Sequence, residues 1–445
     1  MKFQAPPGMR DFYPEDMRLQ NWLLDHWRAA SRAFGFEEYE GPIFESLELY
    51  AVKSGEGIAE QLFHFEDRGG RKFAIRPEMT PTLARLVAAR ANALPRPIKW
   101  FSIPRLCRAE RPQRGRLREF MQWNIDILGS DDALADAECV AVAVELFRRV
   151  GVTASEVVVR YSSRPLAGAV LASFGLGADR LDAVLALLDK AEKLPPETFA
   201  VEWNKAFGAI VEAATIQQFL NSASLDDALA AARKAESFGA AMASGEGAGA
   251  AWMDNLHAFQ ANAAALGIAD YLQFDLRIVR GLAYYTGLIF EAFPRTVGLR
   301  ALLGGGRYDN LTELVGGPRV PGVGFGAGDA PLFEFLRELG KLPATAASLD
   351  VFVIDADAAQ FPLALDVAMK LRRAGLCTDY SYKRQAIGKQ LQQATQRGAR
   401  YAVIVGAEFA ERNVLTIKNL ADRTQRELAA DQLFSDPRAA MASSE

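Results

Sequence analysis

The chain has 445 residues, half of them hydrophobic and 24% charged, with a formal net charge of −4. This length exceeds one ordinary core, so two or three domains are expected. The acidic balance excludes a general polyanion binder, leaving only a local basic patch for any nucleic-acid contact.

The first predicted element is a helix over 16–34, DMRLQNWLLDHWRAASRAF, with apolar residues at helical spacing and Gly35 as its stop. EEYEGPIFE then reads as an extended segment, and Pro42 near its middle suits an edge or partner-facing strand. From about 60 to 130 the pattern is strand-like, broken by a helix at PTLARLVAARANAL. A helix over 133–150 follows and ends at Gly151. From 166 the chain becomes rich in Ala and Leu, which predicts a mostly helical insertion over about 170–265. Within it, SFGAAMASGEGAGAAW reads as a loop. Strands return at YLQFDLRIVRGLAYYTGLIFEAF and continue through ALLGGGRYDNL. GKLPATAAS reads as a linker. Beyond it LDVFVID, LCTDYSY and YAVIVG are strands separated by helices at FPLALDVAMKLRRAG and AIGKQLQQATQRG, which predicts an α/β domain with a largely parallel sheet. NVLTIKNL and a final helix complete it, and DPRAAMASSE is expected to fray.

No apolar run is long enough to span a bilayer, and MKFQAPPGMRDFYPED lacks the apolar region of a signal peptide. Cys107, Cys139 and Cys377 form no CxxC pair, which argues against a disulfide framework or structural zinc and suits a reducing, cytoplasmic setting. His26, His64 and His257 are scattered, so a histidine-based triad or metal centre is not expected.

Four segments can carry chemistry. In RLCRAERPQRGRLREFMQWNID, six arginines (105, 108, 111, 114, 116 and 118) stand against three acids. Pro112 to Arg116 supplies the turn of a hairpin. In its second strand Phe120, Gln122, Asn124 and Asp126 share one face, and Met121, Trp123, Ile125 and Ile127 the other. The polar face therefore meets water or floors a cavity. Arg108 and Glu110 also share a face, and guanidinium groups suit phosphate because they donate in pairs and stay charged. The alternative is a solvated basic hairpin. In RPEMT, Glu78 and Thr80 point the same way on an extended chain and could hold an ammonium group, although Thr80 before Pro81 also reads as a helix cap. In RGLAYYTG, Arg280 leaves an apolar strand beside Tyr284 and Tyr285, where an unpaired charge would be costly. Finally, GGGRYD and PGVGFGAGDAP place glycines in strands, either because backbone must approach something closely or for tight sheet packing. Neither cluster is a P-loop or a Rossmann fingerprint.

Together these segments resemble the class II aminoacyl-tRNA synthetases, specifically the histidyl-tRNA synthetase family. The likeness runs from PPGMRDFYPED to the terminal α/β domain and is most specific at RGLAYYTGLIFE and LGGGRYDNL. The resemblance implies a multi-domain α/β fold: a class II catalytic core with an antiparallel sheet over 1–340, the helical insertion at about 170–265, and an α/β anticodon-binding domain over 348–435. Motif 1 would lie near Pro42 and build a homodimer interface, motif 2 at 105–126, and motif 3 near 320–337. It implies an ATP-dependent ligase that converts histidine to histidyl-adenylate, releases pyrophosphate, and transfers histidine to the 3′ end of tRNA(His).

The resemblance also assigns roles. Arg280 and Arg108 would be catalytic, bracketing the α-phosphate. Glu78, Met79, Thr80, Arg108, Gln122, Asp126, Arg280, Tyr284 and Tyr285 would bind histidine. Arg108, Glu110, Arg116 and Phe120 would bind ATP, with Phe120 stacked on adenine. Arg111 and Arg114 would belong to the loop that meets tRNA. Mg²⁺ would travel with ATP, without a dedicated protein metal site. Three positions depart from the family pattern. Pro331 stands where motif 3 carries an arginine, the next arginine being Arg337. Ala283 replaces a common acidic residue, and Asp126 a common glutamate. A non-catalytic relative, a histidine-sensing regulatory subunit of ATP phosphoribosyltransferase, is the competing reading; it would have no need of the terminal domain or of both Arg108 and Arg280. A basic-hairpin nucleic-acid binder without chemistry would leave the polar strand face unexplained. In the terminal domain Lys383, Arg384, Lys389, Arg397 and Arg400, with Tyr380 and Tyr382, suit an RNA loop with unstacked bases.

Overall fold

The computed structural model describes all residues except 1–2, 55–61, 114, 178–179, 181–182, 185–186, 189–193, 223, 228–247, 279–284, 296–297, 345–348 and 443–445. It divides into two compact units, Met1–Leu342 and Pro343–Glu445. No helix among the described residues is long and apolar enough to cross a membrane.

The first unit is built on a nine-stranded sheet. Its strands are β1 (Glu37–Glu38), β5 (Ile98–Ser102), β6 (Arg105–Cys107), β7 (Glu119–Leu128), β8 (Val157–Ser163), β9 (Leu272–Phe274), β10 (Leu288–Pro294), β11 (Leu303–Tyr308) and β12 (Gly322–Gly328). The order is β1-β5-β7-β12-β11-β10-β8-β9, with β6 paired to β7. Every pair is antiparallel except the two at the edges, β1 with β5 and β8 with β9. A separate three-stranded sheet is formed by β2 (Phe44–Ser46), β3 (His64–Glu66) and β4 (Lys72–Ile75).

The alternation along β7 decides which face is covered. Trp123, Ile125 and Ile127 are buried in one core with residues of helices Pro14–Ala33 and Ala133–Arg149. Each such side chain contributes roughly 1.5–3 kcal/mol by leaving water. Trp123 stacks on Trp27, ring centroids 6.1 Å apart, and its indole N–H donates to Ser31 Oγ at 2.9 Å. The buried tryptophan thus packs its ring and satisfies its one polar group. Helix Ala133–Arg149 starts on Asp132, whose carboxylate accepts from the Leu134 amide at 2.8 Å.

Several elements depart from the sequence reading. Pro42 lies between β1 and β2 and in neither, because the chain leaves one sheet and enters the other there. Helix Ala248–Ala265 takes up the end of the expected small-residue loop; alanine is the strongest helix former and outweighs Gly249. The strand expected through Ile278 stops at Phe274. Buried Asp275 turns the chain there, accepting from the Arg277 amide at 3.0 Å and its guanidinium at 2.8 Å.

The second unit carries β13 (Val351–Asp355), β14 (Thr378–Tyr380), β15 (Tyr401–Val405), β16 (Val414–Asn419) and β17 (Gln425–Ala429), in the order β14-β13-β15-β16-β17. The first three are parallel and the last two antiparallel. Two features differ from expectation. β17 was not anticipated from its polar sequence. The expected frayed end instead forms helix Pro437–Ala442, whose Ala440 and Met441 are buried in the unit's core.

Candidate active site

Two adjoining cavities lie on the polar face of β7. The smaller, about 180 Å³, is lined by Glu78, Thr80, Arg108, Gln122, Asn124, Asp126, Tyr285, Tyr308 and the glycines facing them. The larger, about 270 Å³, is lined by Arg108, Gly115, Arg116, Leu117, Phe120, Gln122, Glu291, Arg300, Pro331 and their neighbours. Arg108, Gln122, Gly304 and Gly326 belong to both. The polar strand face therefore floors a cavity, the second of the two possibilities its alternation allowed.

The hairpin forms as its turn residues predict. Arg105 to Cys107 pairs with Glu119 to Met121, and Gln113 bridges Arg116. Gly115 holds φ +68°, a left-handed conformation that glycine adopts without steric cost. Arg108 Nε donates to the Pro77 carbonyl at 3.0 Å, and its guanidinium lies 5.0 Å from the centroid of the Phe120 ring. These contacts fix the guanidinium at the junction of the cavities. Arg116 forms an ion pair with Glu110, so part of its charge is already offset.

On the other side, RPEMT divides its labour. Arg76 is buried and clamps Glu40 at 2.5 Å and the Arg105 carbonyl at 3.0 Å. Glu78 and Thr80 reach the smaller cavity. The backbone bends through Pro77 and Met79 and is not extended. Thr80 opens helix Thr80–Arg90 as its first residue, and no side chain caps that helix, so the expected capping role is not realised. Met79 is buried and lines neither cavity.

The glycine clusters make room. A Cβ on Gly324 would fall on the Asp126 carboxylate, and one on Gly326 would stand 2.8 Å from Gln122 Nε2. Gly305 is packed against Gly324 and Phe325 in the same way, so both close approach and tight packing operate in these strands.

Tyr308 was not singled out from sequence for the site. Its hydroxyl donates to Asp126 Oδ1. Burial, then the negative charge of Asp126, holds the Tyr308 phenol protonated well above its ordinary range, so the tyrosine is the donor and the carboxylate the acceptor. Tyr39 is pushed up likewise, by burial and then by Asp126. The adjoining Arg307 is structural: buried in the sheet, it pairs with Asp136 at 2.9 Å and donates to the Ser130 carbonyl at 2.9 Å. Glu291 and Arg300 were also missed. Glu291 alternates with apolar neighbours on β10, and Arg300 is an isolated cation before β11. Glu291 closes the RGLAYYTGLIFE segment without a role of its own in the sequence reading, and Arg300 carries no motif. Arg280, Ala283, Tyr284 and Arg114 lie outside the described residues.

In the second unit, Tyr382, Lys383 and Lys389 line a surface cavity of about 460 Å³ with Gln385, Gln392, Gln393 and Gln396. Tyr382 is 81% exposed. The other basic residues expected there divide differently. Arg384 pairs with Asp355 at 2.9 Å, and Arg397 pairs with Asp379.

An antiparallel sheet bearing these cavities, followed by a separate α/β unit, is the architecture of a class II synthetase. A histidyl-tRNA synthetase family model matches residues 8–328, and an anticodon-binding domain model matches 350–436. A histidine–tRNA ligase from Opitutus terrae is 40% identical over 436 residues, 97% of each chain. A chloroplastic/mitochondrial histidine–tRNA ligase from Arabidopsis thaliana is 39% identical over 96% of this chain and 85% of its own. The crystal structure of histidyl-tRNA synthetase from Nostoc sp. PCC 7120 superposes with a TM-score of 0.82 at 27% identity, over 99% of this chain and all of that one. The chain belongs to the histidyl-tRNA synthetase family.

Proposed function

We propose that the smaller cavity binds histidine and the larger binds ATP in a histidine–tRNA ligase. The observation that carries this reading is the placement of Arg108, one guanidinium shared by a carboxylate-lined cavity and an arginine-lined one. The reaction requires such a junction, because the substrate carboxylate must reach the α-phosphate while pyrophosphate leaves. The nucleophile is already ionised, so no protein base is needed, and catalysis rests on positioning and on stabilising charge at phosphate oxygens.

The residue roles combine the linings with the family resemblance, which alone supports Glu110, a residue that lines neither cavity. Glu78 and Thr80 receive the α-amino group. Asp126, oriented by Tyr308, accepts from an imidazole N–H, with Gln122 and Tyr285 beside it. A pocket whose polar groups are satisfied only by imidazole rejects apolar analogues without editing. Arg108 meets the α-phosphate and the substrate carboxylate. Arg116 and Phe120 receive the rest of ATP, Phe120 offering a ring to adenine and Glu110 an acceptor for its amino group. The resemblance further assigns Arg280 as the second α-phosphate cation and Tyr284 as an imidazole contact. Mg²⁺ enters with ATP and offsets phosphate charge; Glu291, a carboxylate buried in the wall of the larger cavity, is the residue suited to its hydration shell. The surface around Tyr382, Lys383 and Lys389 receives unstacked bases of tRNA(His). The exposed Ile43 and Phe44 beside Pro42 fit a homodimer contact, and the composition fits a cytoplasmic enzyme.

Histidine-dependent exchange of labelled pyrophosphate into ATP tests this reading. Wild-type protein should exchange. Its failure to do so would favour the regulatory-subunit reading, which leaves the second unit and Arg108 without a task.

A further inference from the structure

We propose that Arg300 holds the β- and γ-phosphates of ATP, supplying from the segment just before β11 the cationic contact that Pro331 cannot make. The inference rests on the assignment of the larger cavity to ATP. It concerns a residue that carries no motif and whose place is fixed by the fold.

That place is well determined. Leu302 donates its backbone N–H to the Ala292 carbonyl at 2.8 Å, and Leu303 pairs with Ala292 across β10 and β11. The register therefore pins the chain two residues beyond Arg300. Arg300, Ala301, Leu302 and Leu303 together border the larger cavity, as does Pro331. Pro331 sits in the first turn of helix Asp329–Glu338. Its missing N–H costs nothing there, because the first-turn amides have no partner within a helix. It also brings no side-chain donor, so this end of the cavity must find its positive charge elsewhere.

The charge inventory points to Arg300. Three guanidinium groups and one carboxylate, Glu291, line the larger cavity. Arg108 is held at the junction, where the α-phosphate must lie. Arg116 enters from the hairpin beside its ion-pair partner Glu110. Even with Mg²⁺ bound, the triphosphate keeps a net negative charge spread over three phosphates, so a cation beyond Arg108 and Arg116 has phosphate oxygens to meet. Arg300 is half-buried on the same cavity and not on the smaller one, so it belongs to the ATP side alone, away from the carboxylates that receive histidine. Guanidinium is suited to that task because it binds phosphate oxygens in pairs.

Exchange kinetics test the proposal with Arg300→Ala, Arg300→Gln and Arg300→Lys. Removing the charge should raise KM for ATP and for pyrophosphate by about tenfold or more, as expected for loss of a charge-assisted contact, and leave KM for histidine unchanged. The unchanged histidine KM also reports that the variants are folded. Arg300→Lys should recover part of both affinities. Unchanged KM for ATP and pyrophosphate in the Ala and Gln variants would overturn the proposal. So would a rise for ATP alone, which would place Arg300 on the nucleoside. A wild-type enzyme without histidine-dependent exchange would instead sink the ATP assignment beneath it.

Discussion

The two adjoining cavities share a floor yet solve different problems. The smaller is walled mostly by strand residues in fixed register, with glycines cut back to admit Gln122 and Asp126 and a buried tyrosine fixing a carboxylate. Its polar groups are few and positioned, as selection of one small substrate demands. The larger draws its charge from a hairpin and from the connection into β11. Its cations, Arg108, Arg116 and Arg300, sit just outside the named strands, as suits a substrate recognised mainly by charge. Shape is enforced where the substrate must be told from its analogues, and charge is supplied where the substrate must be activated.

Substitutions can separate the two. The largest effect should come from Arg108→Ala, which removes the group common to both. Pyrophosphate exchange should fall by roughly 10²–10³-fold, as for loss of a donor to developing charge; a change confined to one substrate's KM would break the idea of a shared residue. Gly324→Ala should come next. Its methyl group would displace the Asp126 carboxylate and raise KM for histidine roughly tenfold or more, with KM for ATP little altered. Tyr308→Phe should act in the same direction more weakly, by roughly tenfold or less, since it removes one donor to Asp126; an equal rise for ATP would show that the cavities are not separable. The smallest effect is expected at Glu156→Gln, away from both. The hydrogen bond from Lys341, at 2.6 Å, holds Glu156 below its ordinary value of 4.5. A depressed carboxylate stabilises the fold above the unfolded-state value and loses that contribution as pH falls through the folded value. The variant should therefore melt slightly lower than wild type near neutrality, the gap should close in acid, and exchange should be unaffected.

The smaller cavity was more legible in the sequence than the larger. Alternation along Phe120 to Ile127 separates a core face from a polar face, and period-two spacing needs no knowledge of the partner strands. The hairpin likewise announces itself through local turn chemistry, whereas RPEMT reads as extended or capping and is neither. The Tyr308 contact with Asp126 spans 182 positions, and only the β7, β12 and β11 register brings the two together. Arg300 is less legible still: a lone arginine before an apolar strand looks like any strand-end cation until the β10 and β11 pairing places it. The same holds for the second unit. Its βα alternation predicts the parallel strands, whereas β17, polar and partly exposed, has no apolar period to reveal it. Pro437–Ala442 forms a helix because Ala440 and Met441 find a core that the local sequence does not show.

Because one guanidinium serves both cavities, their occupancies are not independent. On the proposed assignment, any ordering of Arg108 by the first substrate is felt by the second. The factor by which histidine tightens ATP must then equal the factor by which ATP tightens histidine. A side chain held by the Pro77 carbonyl and the Phe120 ring before either arrives has little left to order. The enzyme should accordingly show weak synergy between its substrates and no obligatory order of binding.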